Sequence, residues 1–156
     1  MITDTITYAV NGGEATGFLA QPDAEGRYMG VVVIQEWWGL NAHIQDVTRR
    51  LAGAGAIALA PDLYHGLVAT EPDEARKKSM ELDRERAIKE IDAAVDFLIA
   101  QESVFPKKVG VIGFCLGGGL ALHVGARNPN VAAVVAFYGG AAPDVSQFTN
   151  REVAIL

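Results

Sequence analysis

The sequence predicts an α/β fold: a mostly parallel sheet wound on both faces, led by an antiparallel hairpin. Three observations carry this expectation. Apolar, β-branched runs of strand length alternate with amphipathic helical stretches along the chain. The run "GVVVIQ" (residues 30–35) is apolar almost throughout, as a central parallel strand covered on both sides has to be. Near the start, "TITYAV" and "GFLAQP" flank the turn Asn11-Gly12-Gly13, the signature of a β-hairpin.

The elements follow in order. In the first strand Ile6, Tyr8 and Val10 share one face. After the strand at 30–35, Asn41 suits an N-cap, and the helix behind it carries Ile44, Val47 and Leu51 on one stripe until Gly53 and Gly55 end it. "AIALAP" is the next strand, closed by Pro61-Asp62. A long connection, "DLYHGLVATEPDE", leads into one charged helix over about residues 76–100, with Ile88, Ile91, Val95 and Leu98 as its buried stripe. Pro106 ends the following turn. "KVGVIGF" then reads as a strand, "GGGLALHVGAR" as a helix and "VAAVVAFYGG" as a strand. The closing "REVAIL" begins like another core strand and stops at Leu156. The expectation is one domain over 1–156, truncated at its C-terminus, with later strands and helices missing.

Composition narrows the function. Half of the 156 residues are hydrophobic, a fifth are charged, and the net charge is −6, which disfavours nucleic acid and anionic membrane as partners. The apolar runs are strand-sized, too short to span a bilayer. "MITDTITYAV" has neither the basic start nor the apolar core of a secretory signal. A single cysteine forms no internal disulfide, which suits a reducing cytoplasm. His43, His65 and His123 lie far apart, and no Cys/His spacing for a metal is present, so no metal site is expected.

That single cysteine stands in Gly113-Phe114-Cys115-Leu116-Gly117, the G-x-C-x-G pattern of a nucleophile elbow with cysteine in the serine position. A nucleophile on a tight strand-to-helix turn needs neighbours without side chains two residues either way, so that strand and helix can approach. The helix starting near Leu116 turns its positive end toward the sulfur and favours thiolate. The Leu116 N–H then stands ready for an oxyanion. A phosphate loop is excluded because no Lys-Ser/Thr follows the glycines. A buried inert cysteine and a redox sensor are the competing uses, and the second lacks a resolving cysteine.

"VGVIGFCLGGGLAL", "VVVIQEWWGLN", "APDLYHG" and "VVAFYGG" together resemble the dienelactone hydrolase family, within the α/β-hydrolase superfold, and stand in that family's order. The resemblance implies an ester or lactone hydrolase acting on a small-molecule substrate without metal or organic cofactor. It implies that Glu36 lies beside the thiol and helps control its ionisation, and that the Trp37 N–H is the second oxyanion donor. It also implies an arginine holding the substrate carboxylate, matched by Arg76, with Lys77 as the neighbouring alternative.

Such an enzyme needs a histidine and an orienting acid in the order nucleophile, acid, histidine. His123 stands on the elbow helix eight residues beyond Cys115, ~12 Å at helical rise, too far to reach the thiol. Asp144 precedes the strand that should carry the acid. His43 and His65 lie in loops outside the usual order. Acid and histidine are therefore expected beyond Leu156, on a missing C-terminal segment that a separate chain would supply, and 1–156 alone is expected to be inactive. The alternative is a non-catalytic α/β binding protein that keeps the pocket without the triad.

Overall fold

In the computed structural model, which describes residues 1–140 and 142–156, seven strands form one mixed sheet in the order β1-β2-β4-β3-β5-β6-β7. The hairpin is β1 (Ile2–Val10) and β2 (Gly13–Gln21), paired antiparallel with Tyr8 opposite Ala15. Gly12 makes the turn at φ +89°, a region that a side chain would disfavour. β2 runs antiparallel to β4 (Ala56–Pro61). From β4 onward β3 (Tyr28–Ile34), β5 (Val104–Phe114), β6 (Val131–Phe137) and β7 (Ala154–Ile155) are parallel to their neighbours.

Helices cover both faces because the central strands are apolar on both sides. Along β3, Val32 and Ile34 join a core with Ile91, Val95 and Leu98, while Val33 joins another with Phe18, Ile44 and Ala58. α1 (Ala42–Gly53) closes the second core, its first turn held by Asn41, whose side-chain oxygen accepts from the Ile44 N–H at 3.0 Å. The first core lies under α3 (Arg84–Ala100) and α4 (Leu116–Arg127).

The structure corrects two expectations. The charged helix expected over 76–100 is two helices, α2 (Pro72–Glu81) and α3, broken at Leu82-Asp83. Asp83 caps the second by accepting from the Arg86 N–H at 3.1 Å, a competing start that interrupts the helical run. Pro106 lies inside β5 rather than ending a turn, in the leading stretch that precedes the register shift against β3 between Tyr28 and Gly30. Within "REVAIL", Ala154 and Ile155 form β7 parallel to β6, and Leu156 continues the pairing by donating to the Val134 carbonyl at 2.9 Å.

The segment after β6 is tied back by one buried amide. Asn150 donates to the carbonyls of Gly125, Asn128 and Val131 at 3.1, 2.8 and 2.9 Å, joining the end of α4 to the start of β6. Truncating it strands those acceptors, so Asn150→Ala is expected to lose about 1–3 kcal/mol. A lowered urea midpoint with an unchanged m-value would show it, and an unshifted midpoint would refute it.

Candidate active site

The sheet ends its parallel strands on one edge, and the chemistry-bearing residues gather there. Cys115 sits between the last residue of β5 and the first of α4, at φ 55° and ψ −117°. That conformation is rare for a residue with a side chain and costs about 1–3 kcal/mol unless its surroundings impose it. They do. The Cys115 N–H donates to the Phe137 carbonyl at 3.0 Å, and its own carbonyl accepts from Gly118 at 3.0 Å. The Phe114 and Phe137 rings stack at 5.1 Å, aligning the ends of β5 and β6.

The glycines are demanded by backbone contact. A Cβ on Gly113 would lie 2.1 Å from the Gly117 carbonyl oxygen. One on Gly117 would lie 2.4 Å from the Gln35 oxygen, and one on Gly118 would lie 2.8 Å from the Gly139 Cα. The first turn of α4 carries no acidic residue, so its positive end faces the half-buried thiol unopposed by a carboxylate of its own.

Glu36 follows β3 by two residues and is half-buried. Its Oε1 accepts from the Tyr138 hydroxyl at 2.9 Å. Just before it, Gln35 is fully buried and accepts from the Leu63 N–H at 3.1 Å, which pins the Glu36 loop to the segment after β4. Trp37 and Trp38 meet edge to face at 5.4 Å. Gly39, at φ +97°, lets the Tyr64 ring approach where a Cβ would stand 3.2 Å away.

A cavity of about 590 Å³ opens on this edge. Cys115, Leu116, Trp37 and Tyr138 line its floor, and the α2–α3 corner supplies Ser79, Met80, Leu82 and Arg84. Two phenols feel the thiol. The Tyr138 phenol is pushed up, first by its hydrogen bond to Glu36, then by burial and the charges of Glu36 and Cys115. Burial and the charge of Cys115 raise Tyr64 to about 12, and its hydroxyl is buried with no hydrogen-bond partner among the described residues.

The structure thus brings Cys115, Leu116 and Trp37 to one cavity, with Glu36 joined to it through Tyr138. Arg76 is turned outward, paired with Asp73 on an exposed face, and Lys77 lies near Glu81. Neither lines the cavity; Arg84 does. None of the three histidines lines it either. His43 is exposed, its ring 6.4 Å from that of Phe114. His65 Nε2 lies 2.8 Å from Glu90 Oε1. His123 sits in a groove between α3 and α4, its imidazole pushed down by burial and by Arg127 and Arg84. Asp144 is exposed and accepts from Ser146.

Gln35, Tyr64, Arg84 and Tyr138 were missed as site residues in the sequence. The signal for Tyr138 was available: it follows the strand paired to β5 and so must emerge beside the cysteine turn. Arg84 reaches the cavity because α3 begins there, at a helix break that the sequence periodicity does not mark.

Among the described residues no helix is long and apolar enough to cross a membrane, and no cluster of three His, Cys, Asp or Glu could hold a metal ion.

The model of the dienelactone hydrolase family matches residues 15–156. A protein of Aquifex aeolicus (strain VF5), assigned by inference in its name to the carboxymethylenebutenolidases, is 35% identical over 158 residues, covering 96% of this chain and 66% of its own length. Protein usf of Aquifex pyrophilus is 39% identical over 142 residues, covering 86% of this chain and 60% of its own. A solved structure of a dienelactone hydrolase-like promiscuous phosphotriesterase from metagenomic libraries superposes with a TM-score of 0.83 at 30% identity, over 99% of this chain and 66% of that one. The chain therefore spans 60–66% of the length of these relatives. With a family model that matches all but the first fourteen residues and a relative 35% identical over nearly the whole chain, the chain belongs to the dienelactone hydrolase family.

Proposed function

We propose that the protein is a carboxylic ester or lactone hydrolase with Cys115 as nucleophile. The observation that carries this is Cys115 at positive φ on the strand-to-helix turn, opening into the cavity that Leu116 and Trp37 also line. The thiolate attacks the carbonyl carbon, and the Leu116 and Trp37 N–H groups receive the charge that develops on oxygen. The C–O bond to the leaving alcohol breaks, the alkoxide takes up a proton, and a thioester remains on Cys115. Water then releases the acid and restores the thiol.

Glu36 is the carboxylate proposed to control ionisation of the thiol, a role supported by the family resemblance and by its hydrogen bond to the cavity-lining Tyr138. Arg84, rather than Arg76, is the cation proposed to hold an anionic acyl group, because it lines the cavity while Arg76 is paired outside it.

The test is to treat the chain with an activated aryl ester and locate the acyl adduct by peptide mass. The adduct is expected on Cys115 and absent from Cys115→Ala. Arg84→Ala should weaken acylation by an anionic ester by about tenfold while sparing a neutral one, the loss of a charged hydrogen bond. A chain that binds ester without acquiring an adduct would instead be the non-catalytic binding protein.

A further inference from the structure

α2, "PDEARKKSME", carries one large apolar side chain, Met80, and neither core takes it in. The single buried residue of the helix is Ala75. Its charges pair among themselves, Arg76 with Asp73, and Lys77 and Lys78 with Glu81 at 3.9 and 3.7 Å. Met80 is 80% exposed, yet it lines the cavity that also holds Cys115. A lone exposed apolar side chain is ordinary on a protein surface. One that lines a cavity beside a half-buried thiol is apolar surface for a ligand to cover.

We infer that Met80 is a specificity-determining residue of the proposed reaction: its side chain covers the carbon chain of the acyl group, so that esters of medium-length aliphatic acids react in preference to acetate. This rests on the reading of Cys115 as nucleophile. The Met80 side chain is unbranched and soft, and adapts to chains of different shape. Trp37, Leu82 and Leu116 add apolar wall to the same cavity. With Ala75 as its single buried residue, α2 has little apolar packing to hold it back from settling on a bound chain. Arg84, beyond the break at Leu82-Asp83, is the cation proposed for anionic acyl groups, so neutral esters isolate the contribution of Met80.

The experiment compares the chain with Met80→Ser and Met80→Leu in two measurements. The first is the burst of nitrophenolate from 4-nitrophenyl acetate, butyrate and hexanoate, each rate divided by that of the same ester with N-acetylcysteine. Each methylene taken out of water is worth about fourfold in affinity. An open cavity realises part of this, so hexanoate is expected to acylate Cys115 about tenfold faster than acetate at low concentration. Met80→Ser should lose most of that preference and Met80→Leu should keep it. The loss should fall on the ester concentration giving half the maximal burst rate and not on the limiting rate, which separates contact with the acyl chain from a disturbed cysteine turn. The second measurement is binding of ethyl hexanoate and ethyl acetate to Cys115→Ala, with and without Met80→Ser, read from tryptophan fluorescence because Trp37 lines the cavity.

Where Cys115 is acylated, a preference for hexanoate that is missing from either measurement, or that survives in Met80→Ser, would overturn the proposal and leave the nucleophile standing. If no ester acylates Cys115, the nucleophile falls and binding alone decides the role of Met80. Tighter binding of ethyl hexanoate that Met80→Ser abolishes would then uphold the subsite, and equal binding of the two esters would sink it as well.

Discussion

Mixed with excess 4-nitrophenyl acetate, the chain is expected to release about one equivalent of nitrophenolate in a burst and then nearly stop. The burst follows from the turn: on the proposed function, a thiol at the positive end of α4, in a cavity that Leu116 and Trp37 also line, attacks an ester whose leaving group needs no proton. The arrest follows from the histidines. His65 is engaged with Glu90, His43 lies against the Phe114 ring, and His123 occupies the α3–α4 groove. None lines the cavity, so water attacks the thioester without a positioned base, which is typically worth about 10²–10⁴-fold. Rapid-mixing absorbance measures both phases, and added hydroxylamine should release the trapped acyl group. Steady turnover without a burst would mean that one of these histidines reaches the thioester. An unchanged burst in Cys115→Ala would remove the nucleophile altogether.

The second large effect is on stability. Gly117→Ala places a methyl 2.4 and 2.6 Å from the carbonyl oxygens of Gln35 and Ile34, and Gly113→Ala places one 2.1 Å from the Gly117 oxygen. Overpacking against side chains that can move costs about 1–3 kcal/mol. Here the obstructing atoms are main chain, in the end of β3 and the start of α4, so the loss should exceed about 3 kcal/mol. A domain with 5–15 kcal/mol in total would be severely weakened. Gly13→Ala is the control, since a Cβ there meets nothing within 4 Å and its φ is ordinary. Urea titration of the three variants decides it. A Gly117→Ala chain as stable as Gly13→Ala would mean that the close approach of strand and helix is not required.

Much of the fold was legible because local pattern and tertiary demand agree. "AIALAP" is β4 to the residue, its six positions buried, and Asn41 caps α1 as its side chain suggested. The break at Leu82-Asp83 was not legible from periodicity, because the apolar stripe Ile88, Ile91, Val95 and Leu98 says where a helix is buried and not where it starts. Asp83 held that information as a cap, in a stretch crowded with other charges. The floor of the cavity was legible for a different reason: Cys115 and Leu116 stand on the strand-to-helix turn that the glycine spacing marks, and Trp37 was named through the family resemblance. The side-chain contacts around them depend on which strand ends become neighbours. Tyr138 and Glu36 stand 102 positions apart, and only the sheet order brings them together.

The cavity is built from two kinds of wall. Its floor rests on main chain stacked on main chain, where Gly113, Gly117, Gly118 and Gly139 leave no room for a side chain. Its rim, Ser79, Met80, Leu82 and Arg84, stands on a corner between two helices, and the Met80 side chain is largely in solvent. On the proposed function, substitutions on the rim are expected to alter which acyl group fits without moving the sulfur, whereas substitutions at the glycines beneath the floor cost folding first. A site divided in this way separates the reaction from the choice of substrate, and a laboratory search for new selectivity should be confined to the α2–α3 corner.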